Sequence, residues 1–142
     1  FKKIISDAGL KPSIIRFPHP VGQPTPAELQ EVERLLAAQV FNVSARPTAV
    51  VCVNDFLAQN VIKAAVTCGV KLPEQLSVIG FDDEPWTVTA GLTTLNRPYR
   101  EMGTIVAEMA LQQQRNSGHR FRGSFMLEPA LIQRRSVQRL AY

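Results

Sequence analysis

With 142 residues, 45% hydrophobic and 20% charged, the chain is long enough to bury one core and too evenly composed to be a disordered or low-complexity protein. The net charge of +4 is modest: Arg115, Arg120, Arg122, Arg134, Arg135 and Arg139 gather in the last third, but no aromatic residues interleave with them, which sets direct nucleic-acid binding aside. Cys52 and Cys68 are too few and too apolar in setting for a disulfide framework or a metal site, so reduced core cysteines are expected.

Phe1, Ile4, Ile5 and Ala8 keep helical spacing up to Gly9, a residue that commonly ends helices. The chain therefore opens inside what reads as a helix, as a piece of a longer protein would. It shows no apolar leader with a small-residue cleavage site and no membrane-length apolar run, so a soluble, cytoplasmic protein is expected. Residues 13–17 form a strand candidate, followed by a proline-rich loop over 18–24. Thr25-Pro26-Ala27-Glu28 then reads as a capping box with proline in the first helical position. It opens a helix whose Leu29, Val32, Leu35, Leu36 and Val40 form one apolar stripe.

Residues 41–46 read as an irregular link, and 48–53 as a continuous apolar run typical of a central parallel strand. That run stops at Asn54 and Asp55. A helix over about 56–68 has Leu57, Val61, Ala64, Ala65 and Cys68 on one side and Gly69 as its stop, and it leads to a strand over 76–80. Strand, helix and strand in this order make a βαβ unit. Residues 84–91 read as a loop and 92–95 as a short strand. Asn96-Arg97-Pro98 opens a final helix to roughly Arg115, with Met102, Ile105, Val106, Met109 and Ala110 on an apolar face that needs a partner. Two short strands are expected at 124–128 and 131–134, with a loose end beyond Ser136.

The stretch Ser77-Val78-Ile79-Gly80-Phe81-Asp82-Asp83 concentrates the chemistry. A buried strand that ends in two acids delivers them to the carboxyl edge of an open α/β sheet, where such folds hold ligands. Asp82 is the leading candidate, since a carboxylate accepts two hydrogen bonds at once and suits vicinal hydroxyls. Adjacent residues of an extended segment point opposite ways, which makes Asp83 structural. Asn54, at the tip of the other apolar strand, offers a donor and an acceptor, while Asp55 reads as the N-cap of the next helix. Trp86 and Phe17 are candidate pocket walls. His19 and His119 lie in separate loops, no nucleophile has a partnering base, and two adjacent acids make a thin Mg²⁺ site, so neither catalysis nor a metal or other cofactor is expected.

Several motifs, in order, resemble the lactose-repressor/galactose-repressor family of bacterial transcription regulators. They are Pro47-Thr48-Ala49-Val50 leading to Val53-Asn54-Asp55, Gly69-Val70 with Leu72-Pro73-Glu74, Leu76 to Pro85, Leu92-Thr93-Thr94-Leu95, and Arg97-Pro98 with Met102-Gly103. The resemblance implies an α/β, periplasmic-binding-protein-like (type I) fold, an open parallel sheet flanked by helices, represented here mainly by its C-terminal lobe. That lobe would comprise residues 1–95 and 127–142, with 96–126 crossing to the N-terminal lobe and the DNA-binding domain outside this chain. It further implies a small-molecule effector, a sugar or a purine, held between the lobes, with Asp82 and Asn54 among the cleft residues and DNA contacted only through the upstream domain. A homodimer is implied too, for which Leu57, Ala58 and Val61 are the candidate surface. Two other readings stand beside this one: an extracytoplasmic sugar-binding protein of the same fold, and a Mg²⁺-dependent enzyme built on Asp82 and Asp83.

Overall fold

A computed structural model describes residues 2–16, 24–115 and 123–139. Its centre is a four-stranded sheet in the order β1 (Ala49–Val51), β2 (Ser77–Asp82), β3 (Thr93–Asn96) and β4 (Ala130–Ile132). β1, β2 and β3 run parallel, with Val50 opposite Val78 and Gly80 opposite Thr94, whereas β4 lies antiparallel to β3 with Leu131 opposite Leu95. Helix α3 (Asp55–Thr67) links β1 to β2 and completes the expected βαβ unit. The expected parallel sheet thus carries an antiparallel margin.

Helix α2 (Pro26–Leu36) starts from the capping box anticipated above: Thr25 N donates to Glu28 Oε2 at 2.7 Å, and Glu28 N donates back to Thr25 Oγ1 at 3.3 Å. Its stripe turns inward, and a π-helical turn, Ala37–Phe41, extends it far enough to bury Val40 and Phe41. The irregular link therefore begins only at Asn42. On the facing side α3 buries Ala58, Val61, Ala64 and Ala65, and these pack with Leu36, Leu76, Val78 and Leu92 into one core. Each fully buried leucine of that core contributes about 1.5–3 kcal/mol. Cys52 belongs to it, and burial, with the charge of Asp55 acting the same way, pushes its thiol up to about 12. Both cysteines are free.

Several elements differ from expectation, each for a physical reason. Residues 13–16 form no strand and are exposed, because no strand among the described residues pairs with them. β1 lies at a margin of the sheet and spans three residues, since it pairs only with β2; Val51 and Val53 are 55% and 72% exposed. Residues 84–91 hold a short helix, α4 (Trp86–Ala90), closed by Gly91 at φ 68°. Residues 124–128 form no strand, and β4 pairs with β3. Beyond Ser136 the chain is docked: Gln138 N donates to Ser77 Oγ at 3.2 Å and its Nε2 to Glu74 O at 3.1 Å. The last helix, α5 (Tyr99–Arg115), buries no residue, and Met102, Val106 and Leu111 are exposed along it. None of the described helices is long and apolar enough to cross a membrane.

Candidate functional site

The carboxyl ends of β2 and β3 converge on Asp82 and Asp83, which occupy positive φ values of 126° and 59°. Such backbone is unfavourable for residues with a Cβ, by about 1–3 kcal/mol each, and persists where surrounding contacts fix it. Here the contacts divide the two acids. Asp83 is held by three partners: its carboxylate accepts from Arg134 Nη2 at 2.7 Å, Asn96 Nδ2 at 2.9 Å and Thr87 Oγ1 at 3.4 Å. The Arg134 bond, followed by that of Asn96, holds its carboxyl below the usual carboxylate range. Arg134 also donates to Leu92 O at 2.8 Å and so ties the start of β3 to the same network. These bonds give Asp83 a structural role, although its backbone at φ 59° is not the extended one expected.

Asp82 has a different partner. It forms an ion pair with Arg97, and the two side chains are 14% and 40% exposed respectively. Partial burial raises its carboxyl above the ordinary range; Asp55 pushes the same way, and Arg97 opposes both. The Arg97 guanidinium lies 4.8 Å from the Tyr99 ring centroid and 5.8 Å from that of Phe81, within the range of cation–π attraction. Its Nε is buried and has no hydrogen-bond partner among the described residues.

Behind this pair sits Asp55, fully buried at the first turn of α3. Its Oδ1 accepts from Thr94 Oγ1 at 2.7 Å and its Oδ2 from Glu84 N at 2.9 Å, so it fastens the turn that follows the two acids. The cap of α3 belongs to Asn54, whose Oδ1 accepts from Leu57 N at 2.8 Å. Sequence reasoning gave the cap to Asp55, because Asp and Asn are both excellent N-caps and only packing distinguishes them. Asn54 nevertheless lies at the carboxyl end of β1, next to β2 in the sheet, with part of its side chain exposed.

Trp86 begins α4 and is half-buried against the core. Phe17 lies outside the described residues. Of the candidate dimer residues, Ala58 and Val61 are 0% and 2% exposed and face the chain's own core, which corrects their assignment to a surface. The apolar spacing that suggested an interface is the face of α3 turned toward the core. Leu57 is half-buried. The roles of Arg97 and Arg134 were missed, as was the close approach of the Asp55 carboxylate to Gly80, where a Cβ would clash with it; the one available signal was Gly80 itself, since glycine inside a strand often marks a close approach.

The site is suited to binding. Asp82 accepts hydrogen bonds and Arg97 donates them side by side. Among the described residues no three potential metal-ligating side chains cluster.

The family model described as periplasmic binding protein-like domain matches residues 1–137. The chain belongs to that family. It is 34% identical over 107 residues to the HTH-type transcriptional repressor PurR of Photobacterium profundum, an alignment covering 73% of this chain and 31% of the repressor. The crystal structure of a LacI family transcriptional regulator from Bifidobacterium animalis subsp. lactis superposes with a TM-score of 0.77 at 26% identity, covering 99% of this chain and 49% of that one. A LacI family regulator from Arthrobacter sp. FB24, solved in complex with lactose, gives a TM-score of 0.73 at 25% identity, covering 96% and 48%. The chain spans about a third of the length of the curated relatives it matches. The sheet and these likenesses place the chain with the periplasmic-binding-protein-like region of LacI/GalR-type regulators. The extracytoplasmic and Mg²⁺-enzyme readings are not favoured.

Proposed function

We propose that this chain is the C-terminal lobe of a cytoplasmic regulator's effector-binding core, which takes a small sugar at the carboxyl edge of β2 and passes its occupancy to an upstream DNA-binding segment. The observation that carries this reading is Asp82, presented at the strand tip on positive-φ backbone beside the part-exposed Arg97. Asn54 and Trp86 border the same edge, and the lactose-bound structural neighbour supports a sugar over a purine. A crossing to the second lobe suits α5, which buries none of its residues among the described ones. Sugar binding between lobes shifts a two-state equilibrium only by its differential affinity for the closed form. The protein acts as a homodimer, in which Leu57 is the surviving α3 candidate for the interface.

Calorimetric titration of the full-length regulator with lactose, ribose, galactose and glucose tests the assignment. Asp82→Ala is expected to weaken the sugar that binds at least tenfold, because an unpaired hydroxyl in a closed cleft costs about 1–3 kcal/mol. Unchanged affinity in that variant overturns it.

A further inference from the structure

We propose that Arg97 is a specificity-determining residue of the effector site, forming with Asp82 a paired acceptor and donor that reads two neighbouring hydroxyls of an uncharged sugar. The inference rests on the sugar-binding reading above and adds a second residue and a charge class to it.

The geometry carries the pairing. Asp82 comes from the tip of β2 and Arg97 from the link between β3 and α5, so two separate segments bring their charges together at the ligand edge. The guanidinium lies within cation–π range of the rings of Phe81 and Tyr99, which favours this position beside Asp82. Asp82 pairs with Nη2, one end of the guanidinium fork. Both side chains keep exposed surface, that of Arg97 the larger at 40%. Two adjacent hydroxyls match this arrangement, one donating to the carboxylate and its neighbour accepting from the guanidinium.

The surrounding charges select a neutral ligand. Arg97 is answered by Asp82 and Arg134 by Asp83, while Asp55 has a hydroxyl and an amide as partners in place of a cation. A phosphate or carboxylate would therefore meet an edge where no cation is left uncommitted among these groups, with one further acid beneath it. Arg97 also precedes Tyr99, the first residue of α5, so a ligand that reorients the guanidinium acts directly on the root of that helix.

The test uses the full-length protein and matched pairs of probes: ribose with 2-deoxyribose, galactose with 2-deoxygalactose, glucose with 2-deoxyglucose, and each parent sugar with its terminal phosphate ester. Calorimetry on the wild type is expected to show a neutral parent sugar bound at least tenfold tighter than its deoxy partner and its phosphate. In Arg97→Met the parent sugar is expected to bind about tenfold more weakly and the deoxy discrimination to shrink to about twofold. Arg97→Lys, which keeps the charge without the planar fork, is expected to fall between. Thermal midpoints read in parallel separate a loss of fold from a loss of binding. Full discrimination retained in Arg97→Met, or a phosphate ester bound more tightly than its parent, overturns the role of Arg97 while leaving Asp82 as the sugar contact. Failure of every probe to bind the wild type overturns both readings.

Discussion

A Cβ placed on Gly80 would stand 2.0 Å from Asp55 Oδ1 and 3.2 Å from the Leu92 side chain. The missing side chain of one residue is thus the space occupied by the carboxyl of the other, and through it Asp55 reaches Thr94 and the Glu84 amide. Gly80→Ala is expected to destabilise the fold by about 1–3 kcal/mol through overpacking. Urea unfolding measures this, and the double variant with Asp55→Ala should cost less than the sum of the single changes because both act on one contact. Simple additivity would break the link.

Asp82 and Asp83 are expected to titrate on opposite sides of the ordinary carboxylate value of about 3.9. Asp83, held low by Arg134, contributes stability that is present above that value and lost as pH falls through its own lower one. Asp82, raised by burial, does the reverse: the folded state keeps its proton longer than the unfolded chain, so stability declines as pH rises from about 3.9 through the higher folded value. Carboxyl NMR titration should separate the two resonances in that order. Asp83→Asn should flatten the acid-side loss and Asp82→Asn the decline above it; a reversed order would refute the division of roles.

Ser136 fastens β2 and β3 from a distant part of the chain. Its carbonyl accepts from Val78 N at 2.8 Å, its N–H donates to Gly91 O at 3.0 Å, and its hydroxyl donates to Val78 O at 2.6 Å while accepting from Thr93 N at 2.8 Å. Ser136→Ala strands a buried amide and is expected to cost about 1–3 kcal/mol, read from denaturant midpoints, with Ser136→Thr retaining more stability than Ser136→Ala.

Asn54 serves a cap and is proposed to meet ligand, and substitutions separate these roles. Asn54→Ala should cost about 1 kcal/mol of stability by removing the cap. Asn54→Ser should restore that stability through its own hydroxyl. If Asn54 also contacts sugar, the serine variant will fold like the wild type and bind more weakly; normal binding confines Asn54 to the cap.

The features legible in the sequence were local ones. The Thr25–Glu28 box, the left-handed stops at Gly9 and Gly69, and the apolar periodicities of α2 and α3 each lie within a few residues, and the structure keeps them all. What escaped reading depends on residues far apart. Arg134 meets Asp83 across 51 positions and Thr94 meets Asp55 across 39, so neither pairing leaves a periodic trace. Residues 48–53 read as a central strand because an apolar run records composition without recording which neighbours lie beside it. Arg97 was visible only as the approach to a helix, since an ion pair with Asp82 is a property of the folded sheet.

The clasp formed by Ser136 bears on how the protein is made. Val78 and Thr93 receive their remaining hydrogen bonds from a residue 58 and 43 positions further along the chain. During synthesis the β2–β3 pair therefore leaves the ribosome before the segment that completes it, and closing so long a loop is slow compared with forming α3. For that interval the ligand edge exists in outline with Asp83 still lacking Arg134, and a nascent chain that stalls before Arg134 would present it to chaperones and proteases unlatched.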